Sequence, residues 1–260
     1  MEKRKIHIDL NEYPQSFHKF LKDATVYDSS CSKEARVIFI DKDGGYYLKK
    51  AEKGSLKTEA ELTAYFNQKG LATEVLAYES DAFDYFLTRK VQGEDCVYRG
   101  YLENPKKLCE TTATLLRKLH EEDFSDCPID RLNTYFETVD NNYRKEIFDN
   151  SIFTPKWQLG NREETKKYAD SNRHLLKSDV LLHGDYCLPN IILDNWKFSA
   201  FIDLGNGGVG DRHIDLFWGI WTLYFNLKTN KYDDYFMDAY GRDKIEEEKL
   251  YLVAAMEAFG

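Results

Sequence analysis

The stretch from Leu181 to Asp215 carries the residues best suited to chemistry in this chain. An apolar run ends in His183-Gly184-Asp185, and Asn190 lies five residues after the aspartate. A second apolar run leads to Asp203. Carboxylate and amide oxygens of this kind suit Mg²⁺, which takes one or two carboxylates from a protein and fills its other positions with water and phosphate. The pattern therefore predicts a phosphoryl-transfer site.

Turn chemistry between two short apolar runs predicts that these residues flank a β-hairpin. The runs are 191–193 and 200–202, and the polar turn between them passes through Asp194-Asn195. The ends of the hairpin then present Asp185 and Asn190 on one side and Asp203 on the other.

Each of the three polar residues has a predicted role. Phosphoryl transfer passes through a loose, charge-rich transition state, so the protein mainly positions groups and neutralises charge. We assign Asp185 as the group that orients the acceptor hydroxyl or accepts its proton. Asn190 binds metal without adding charge, and Asp203 binds metal with charge.

Two other interpretations of this stretch are weaker. The glycine run 205–210 fits G-x-G-x-x-G after a strand, which is the pattern of a dinucleotide site. The Asp203 carboxylate directly before it would repel a pyrophosphate, and no βαβ unit surrounds it. Taken singly, each aspartate is most simply a turn or cap residue. Three ligand-type residues on one hairpin favour a site instead, and the absence of G-x-x-x-x-G-K-[ST] from the sequence excludes a P-loop.

The order Asp185, Asn190, Asp203 resembles the protein kinases, in which a catalytic-loop Asp and Asn precede the Asp of D-F-G. His-Gly-Asp and Asp-Leu-Gly stand in place of the kinase motifs and resemble the aminoglycoside phosphotransferase family, the 3′-phosphotransferases in particular. The resemblance implies an α+β, bilobal protein-kinase-like fold. Residues 1–92 would form a small β-rich nucleotide-binding lobe with one key helix and the hinge, and residues 93–260 a larger, mainly helical catalytic and substrate-binding lobe.

The first lobe is predicted to supply an ion pair. The sequence 37–49 has the pattern of a hairpin that ends at Lys49, and a helix is predicted from Leu56 to Lys69 with Gly70 as its stop. A strand lysine followed by a helix glutamate corresponds to the kinase Lys–Glu pair. The resemblance therefore assigns Lys49 to the nucleotide phosphates and Glu59 as its partner.

The resemblance implies further nucleotide contacts. Tyr47 would lie against the adenine, although packing within the sheet explains it equally well. Ser32 belongs to the loop that would cover the phosphates. Backbone groups of Arg89 and Val91 would bond the adenine edge in the linker. The implied cofactors are ATP, with GTP as an alternative, and Mg²⁺.

The second lobe is predicted to contain several helices: one from Pro105, others over 131–149 and 163–177, and an apolar one after Asp215. His120, at the end of the first of these, is best explained by hydrogen bonding in or near the core. The resemblance assigns Asp215 to hydrogen bonds with the backbone of the catalytic loop.

The substrate residues also follow from the resemblance. In 3′-phosphotransferases, carboxylates of the second lobe and the chain terminus hold the amino sugar. Here Trp221 and Asn226 stand where acidic residues are expected, and Glu257 is retained. These three are the predicted substrate contacts.

Three functions remain open at this stage. The first is ATP-dependent phosphorylation of an aminoglycoside hydroxyl, and the second is the same reaction on another hydroxylated metabolite or antibiotic. The third, an inactive nucleotide-binding module, is disfavoured because the implied catalytic set is intact. A protein kinase is disfavoured because no A-P-E segment follows Asp203.

Composition limits the partners. The 260 residues carry a formal net charge of −9, which argues against nucleic-acid binding. The five cysteines form no C-x-x-C pair, so reduced thiols are expected. The segment Met1–Lys5 is charged and no apolar run follows it, so neither a signal peptide nor a membrane span is predicted. We expect a cytoplasmic monomer or weak dimer that binds a small-molecule substrate.

Overall fold

The computed structural model describes residues 4–152 and 156–260. The chain divides into two compact units, Met1–Gln92 and Gly93–Gly260. Gly93, the first residue of the second unit, has φ +112° and approaches the backbone of Leu193 so closely that a Cβ would lie 2.3 Å from the carbonyl oxygen. Only glycine is accommodated there.

The first unit is built on a six-stranded antiparallel sheet with the strand order β1-β2-β3-β4-β6-β5. The strands are β1 (Arg4–Ile6), β2 (Thr25–Asp28), β3 (Ala35–Asp41), β4 (Tyr46–Glu52), β5 (Val75–Ser80) and β6 (Phe83–Arg89). Its helices are α1 (His18–Leu21) and α2 (Lys57–Gln68). The predicted hairpin of β3 and β4 and the predicted helix α2 are confirmed.

Alternation along β4 divides the first unit into two layers. Tyr46 and Leu48 point into a core that includes Phe17 from the N-terminal segment. On the opposite face, Ala51 packs with Ala60 of α2. Because side chains two residues apart share a face of a strand, Lys49 lies on the α2 side of the sheet.

The second unit combines short sheets with helices. β7 (Glu94–Asp95), β9 (Ile191–Asp194) and β10 (Lys197–Phe201) form a three-stranded sheet, and β8 (Val180–Leu182) pairs with β11 (Gly208–Gly210). The helices are α3 (Arg99–Leu102), α4 (Pro105–His120), α5 (Leu132–Arg144), α6 (Arg162–Asn172), α7 (His213–Leu227), α8 (Asp233–Tyr240) and α9 (Glu247–Glu257). Within the described ranges, no helix is long and apolar enough to cross a membrane.

The predicted hairpin of the functional stretch is confirmed as β9–β10. Asn195 and Trp196, at its tip, have φ of 50° and 69°. Two successive residues with positive φ match the type I′ turn, whose twist suits a two-residue hairpin. The register pairs Ile191 with Phe201. The chain segments that carry Asn190 and Asp203 therefore leave the same end of the ladder.

Helices α5 and α6 are shorter than predicted. The first ends at Arg144 rather than near position 149, and the second ends at Asn172 and continues as a 3₁₀ turn, Arg173–Leu175. Asn161 and Glu164 form a capping box that sets the start of α6. The predicted helices extended past both C-termini because apolar residues continue there without a glycine stop: Ile147 and Phe148 after α5, and Leu175 and Leu176 after α6.

Candidate active site

The catalytic loop, residues 183–190 between β8 and β9, is held at its start by Asp215. The buried carboxylate accepts hydrogen bonds from the backbone N–H of His183 at 2.8 Å and of Gly184 at 2.7 Å. Two bonds to one carboxylate fix both the position and the orientation of the peptide before Asp185. The role that the resemblance assigned to Asp215 is confirmed.

Asp215 is itself held by a buried pair of side chains. His120 Nε2 lies 3.2 Å from Asp215 Oδ2, and His120 Nδ1 lies 2.8 Å from the Tyr240 hydroxyl. Burial lowers the pKa of His120, although the Asp215 carboxylate acts in the opposite direction. A neutral imidazole then donates from Nε2 to Asp215 and accepts from Tyr240. The structural interpretation of His120 is confirmed.

Two threonines on different helices hold the rest of the loop. The Thr222 hydroxyl of α7 accepts from the Leu188 N–H at 3.1 Å. The Tyr186 hydroxyl donates to the Thr112 carbonyl of α4 at 2.7 Å. Neither residue was singled out from the sequence, because Thr112 acts through its backbone carbonyl and helical threonine hydroxyls such as that of Thr222 usually bond within their own helix.

The glycine run after Asp203 packs against the catalytic loop. Gly184 has φ +84°, and a Cβ there would lie 1.8 Å from the Asn206 carbonyl oxygen. Gly208 and Gly210 belong to β11, which pairs antiparallel with β8. Gly184 and Gly208 allow backbone to approach backbone, and the surroundings are not those of a dinucleotide-binding βαβ unit.

Asp185 and Asn190 are brought together as predicted. The Asn190 Nδ2 group donates to Asp185 Oδ2 at 2.9 Å and to the Asp185 carbonyl at 3.0 Å. Both acceptors are oxygens, so the amide nitrogen must face them and Oδ1 faces the opposite way. Asp185 is partly exposed and Asn190 is buried. The arrangement can present Asp185 Oδ1 to a substrate hydroxyl and Asn190 Oδ1 to a cation.

Asp203 directly follows a residue that is hydrogen-bonded to Asn190. Its neighbour Ile202 donates its N–H to the Asn190 carbonyl at 3.0 Å, immediately beyond the β9–β10 ladder. Asp203 is exposed and adopts the left-handed conformation, with φ 62° and ψ 53°. Aspartate tolerates this region better than most residues, and such outliers concentrate at functional sites.

The donor set of Asn190 and Asp203 fits Mg²⁺. This cation needs only one or two protein oxygens when nucleotide phosphates and water complete its shell. In the described part of the chain, no group of three or more His, Cys, Asp or Glu side chains is arranged to hold a metal by itself. An amide and one carboxylate leave the other positions of such a cation to phosphate and water.

Glu257 belongs to the surroundings of Asp185. Burial raises its pKa to about 7, and the negative charge of Asp185 acts in the same direction. The Tyr135 hydroxyl donates to Glu257 Oε1 at 2.9 Å, and the indole of Trp218 also bonds the carboxylate. Arg131 contributes positive charge nearby and bonds the Asn206 side chain at 3.0 Å. Tyr135 and Arg131 were not found from the sequence.

The other two predicted substrate residues are placed differently. Trp221 is half-buried and stacks on Phe225, with ring centroids 5.0 Å apart and planes 12° from parallel. Asn226 donates to the Thr222 carbonyl of its own helix at 2.8 Å. The amide nitrogen of Asn226 is thereby committed to α7, whereas the aromatic pair presents partly exposed ring surface.

In the first unit, the structure forms the predicted ion pair. Lys49 Nζ lies 2.6 Å from Glu59 Oε1, and Glu59 is buried. Tyr47, on the same face of β4, packs against Phe39 with ring centroids 5.2 Å apart. Tyr47 therefore packs within the sheet, which was one of the two explanations predicted for it. Its ring also lies on the strand face that carries Lys49.

The remaining predicted nucleotide contacts lie at the edges of the first unit. Ser32 is exposed in the loop between β2 and β3, where its hydroxyl bonds Glu34. The Arg89 N–H donates to the Glu74 carbonyl at 3.0 Å, and the Arg89 carbonyl accepts from the Thr73 hydroxyl. Only the second lone pair of that carbonyl is left for adenine. Val91 is half-buried just after β6.

Comparison with known proteins decides the family. Residues 31–252 match the model of the phosphotransferase enzyme family. The chain belongs to this family. This phosphotransferase is 50% identical over 260 residues to a probable aminoglycoside 3′-phosphotransferase of Lactococcus lactis subsp. lactis, covering 99% of this chain and 98% of that protein. It is 29% identical to the aminoglycoside 3′-phosphotransferase of Niallia circulans over 79% of each chain.

Solved structures confirm the predicted α+β, protein-kinase-like fold. The phosphotransferase is similar to an aminoglycoside 3′-phosphotransferase of type VIII, with a TM-score of 0.74 and 22% identity over 96% of both chains. It is also similar to an aminoglycoside phosphotransferase of Streptomyces rimosus in complex with ADP and streptomycin, with a TM-score of 0.77 and 21% identity. That match covers 97% of this chain and 99% of the other.

Proposed function

We propose that this phosphotransferase moves the γ-phosphoryl group of ATP to a hydroxyl group of an aminoglycoside, at the 3′ position. The observation that carries the proposal is the 50% identity, over nearly the whole chain, to a probable aminoglycoside 3′-phosphotransferase. The hydrogen-bonded Asp185–Asn190 pair supports the chemistry. Residues 1–92 are proposed to bind the nucleotide, and residues 93–260 to bind the acceptor and carry the catalytic group.

Asp185 is the proposed catalytic residue. The Asn190 amide donates to one oxygen of the Asp185 carboxylate. The other oxygen would accept a hydrogen bond from the hydroxyl group of the substrate. The bond orients an oxygen lone pair toward the γ-phosphorus and gives the proton a destination as the new P–O bond forms. Since the transition state is loose, most of the benefit comes from this orientation.

The remaining residues hold the nucleotide. Asn190 Oδ1 and the Asp203 carboxylate would bind Mg²⁺, which when present neutralises charge on the β- and γ-phosphates. Lys49 would donate to the phosphates, and its 2.6 Å contact with Glu59 holds the ammonium group in place. Tyr47 offers ring surface to the base.

Glu257 supports a cationic substrate, because its buried carboxylate lies near Asp185. An ammonium group of an amino sugar would pair with it. A second candidate, a less cationic hydroxylated compound, is favoured by the partly exposed rings of Trp221 and Phe225. Aromatic faces bind the apolar face of a sugar or a flat ring without requiring positive charge.

A coupled assay of ADP release distinguishes the two substrate classes. We expect turnover with kanamycin- and neomycin-type compounds that carry a 3′-hydroxyl, and background ATP hydrolysis with analogues that lack it. Phosphorus NMR of the product then locates the phosphate. Turnover with the 3′-deoxy analogues would contradict the position, and turnover only with uncharged hydroxylated compounds would select the second candidate.

Glu257 makes substrate affinity depend on pH. Its pKa is raised to about 7, so the carboxyl is neutral below that pH and charged above it. We expect the KM for the aminoglycoside to fall about tenfold as pH rises from about 6 to about 8, because a charged hydrogen bond replaces a neutral one. Steady-state kinetics across this range measure the effect.

The control is Glu257→Gln with the same substrate, since substrate amines titrate in both proteins. The variant should keep only the pH dependence that comes from those amines. Identical KM profiles for the variant and the native protein would rule out Glu257 as a substrate contact.

A further inference from the structure

A buried carboxylate in the first unit has no part in the function proposed so far. Asp84 of β6 has 0% exposure. The register places it opposite Ala51, while Phe86 pairs with Lys49. Asp84 and Lys49 therefore lie on the same face of the sheet, the face against which α2 packs.

The Asp84 carboxylate is bound to the start of α2. Its Oδ2 accepts from the Leu56 N–H at 2.9 Å and from the Tyr78 hydroxyl at 3.0 Å. Burial acts to raise the pKa of Asp84, but the donor groups of Gly54, Ser80, Leu56 and Tyr78 outweigh it and hold the pKa below its usual range. The group is ionised, and its negative charge faces the positive end of the helix dipole.

Helix α2 has no cap from its own sequence. Its N-cap residue is Leu56, which makes no side-chain cap hydrogen bond. In a capping box this N–H would be bound by the side chain at N3, but N3 of α2 is Glu59, whose carboxylate pairs with Lys49. Here the capping carboxylate comes from 28 residues further along the chain. The start of α2 is thereby tied to β6.

Leu56, the residue that Asp84 holds, lies in the sequence between Lys49 and Glu59, the two members of the ion pair. Lys49 is in β4, and the chain then turns, with the Ser55 N–H donating to the Glu52 carbonyl at 3.1 Å, before α2 begins. Glu59 is in the first turn of α2. A displacement of this turn moves the Glu59 carboxylate away from Lys49, because the side chain extends from the part of the helix that the cap holds.

We propose that Asp84 is a positioning residue, which caps α2 from β6 and so keeps Glu59 in contact with Lys49. The inference rests on the proposed role of Lys49 in binding phosphate. The cap makes the Lys–Glu contact a permanent feature of the first unit, and nucleotide affinity then depends on Asp84 although it touches no nucleotide.

A double-mutant cycle on nucleotide affinity tests the inference. Asp84→Asn retains the size of the side chain but removes the charge, and Glu59→Gln removes the partner of Lys49. Titration calorimetry with ATP and Mg²⁺ needs no acceptor, so the result does not depend on the identity of the aminoglycoside. We expect each single variant to weaken ATP binding about three- to tenfold, and the double variant to bind no more weakly than Glu59→Gln alone.

Tyr78→Phe is the matched control, because it removes one bond to Asp84 and keeps the bond to Leu56. It should lower the unfolding temperature without changing ATP affinity. Asp84→Asn with native ATP affinity, or losses that multiply in the double variant, would overturn the positioning role alone. Native affinity in Glu59→Gln would overturn both this inference and the proposed role of the ion pair.

Discussion

Replacing Asp185 by asparagine is expected to lower kcat by about 10²- to 10⁴-fold, the range typical of a lost general base. The Asn190 Nδ2 group, which donates to Asp185 Oδ2 at 2.9 Å, still finds an oxygen acceptor in the variant. The loop geometry is therefore retained, but the carboxylate oxygen that orients the hydroxyl is replaced by an amide donor. ATP affinity should stay close to that of the native protein, because Asp185 is not among the proposed metal ligands.

Single-turnover kinetics and calorimetry with ATP measure the two quantities separately. Asp194→Asn is a suitable control, since Asp194 is an exposed carboxylate at the far end of the same hairpin and should leave both unchanged. A kcat close to the native value in Asp185→Asn would exclude the catalytic assignment. A large loss of ATP affinity would place Asp185 among the metal ligands instead.

The parts of the site that follow from local sequence were predictable. The β9–β10 hairpin depends on two residues that adopt a type I′ turn between apolar runs. Helix α2 and helix α4 end at Gln68 and His120, within one residue of their predicted ends. Asp185 and Asn190 are separated by one tight loop, so their mutual contact follows from short spacing alone.

The residues that sequence reasoning missed act over long separations. Thr222 bonds Leu188 across 34 positions, and Tyr135 bonds Glu257 across 122 positions. Asp84 is another such case, since a strand aspartate next to apolar residues gives no sign that it caps a helix. Each residue is of an ordinary type with several local explanations. Only the folded chain selects the partner, and no periodic pattern records that choice.

Contacts made by backbone groups and side-chain amides are the hardest to predict from the sequence. Arg89 is predicted to offer its backbone to adenine, and the structure shows that its N–H donates to Glu74 within the same unit, so its carbonyl is the group that the prediction concerns. Asn226 is predicted to contact the substrate, and the structure shows that its amide nitrogen donates to the preceding helical turn, which leaves its Oδ1 for such a contact. Both assignments concern groups that always find some partner, and the sequence gives no way to distinguish a local partner from a ligand.

The second large effect is expected at Asp203, where asparagine should weaken ATP binding about ten- to a hundredfold in the presence of Mg²⁺ and change it little when the cation is removed by chelation. Asparagine is preferred to alanine because Asp203 has φ 62°, a conformation that asparagine also tolerates. The variant therefore keeps the backbone of the turn and removes only the charge. Asn190, the other proposed ligand, is neutral, so Asp203 supplies all the charge of the proposed ligand pair.

The measurement is a pair of calorimetric titrations with ATP, one with Mg²⁺ and one with chelator, on the native protein and on Asp203→Asn. In the native protein, Mg²⁺ should strengthen binding, and in the variant most of that gain should disappear. The unfolding temperature without nucleotide should be similar in both proteins, because the side chain is exposed. Equal gains from Mg²⁺ in the two proteins would remove Asp203 from the metal site, and an equal loss with and without Mg²⁺ would mean that the carboxylate acts on the fold of the loop rather than on the cation.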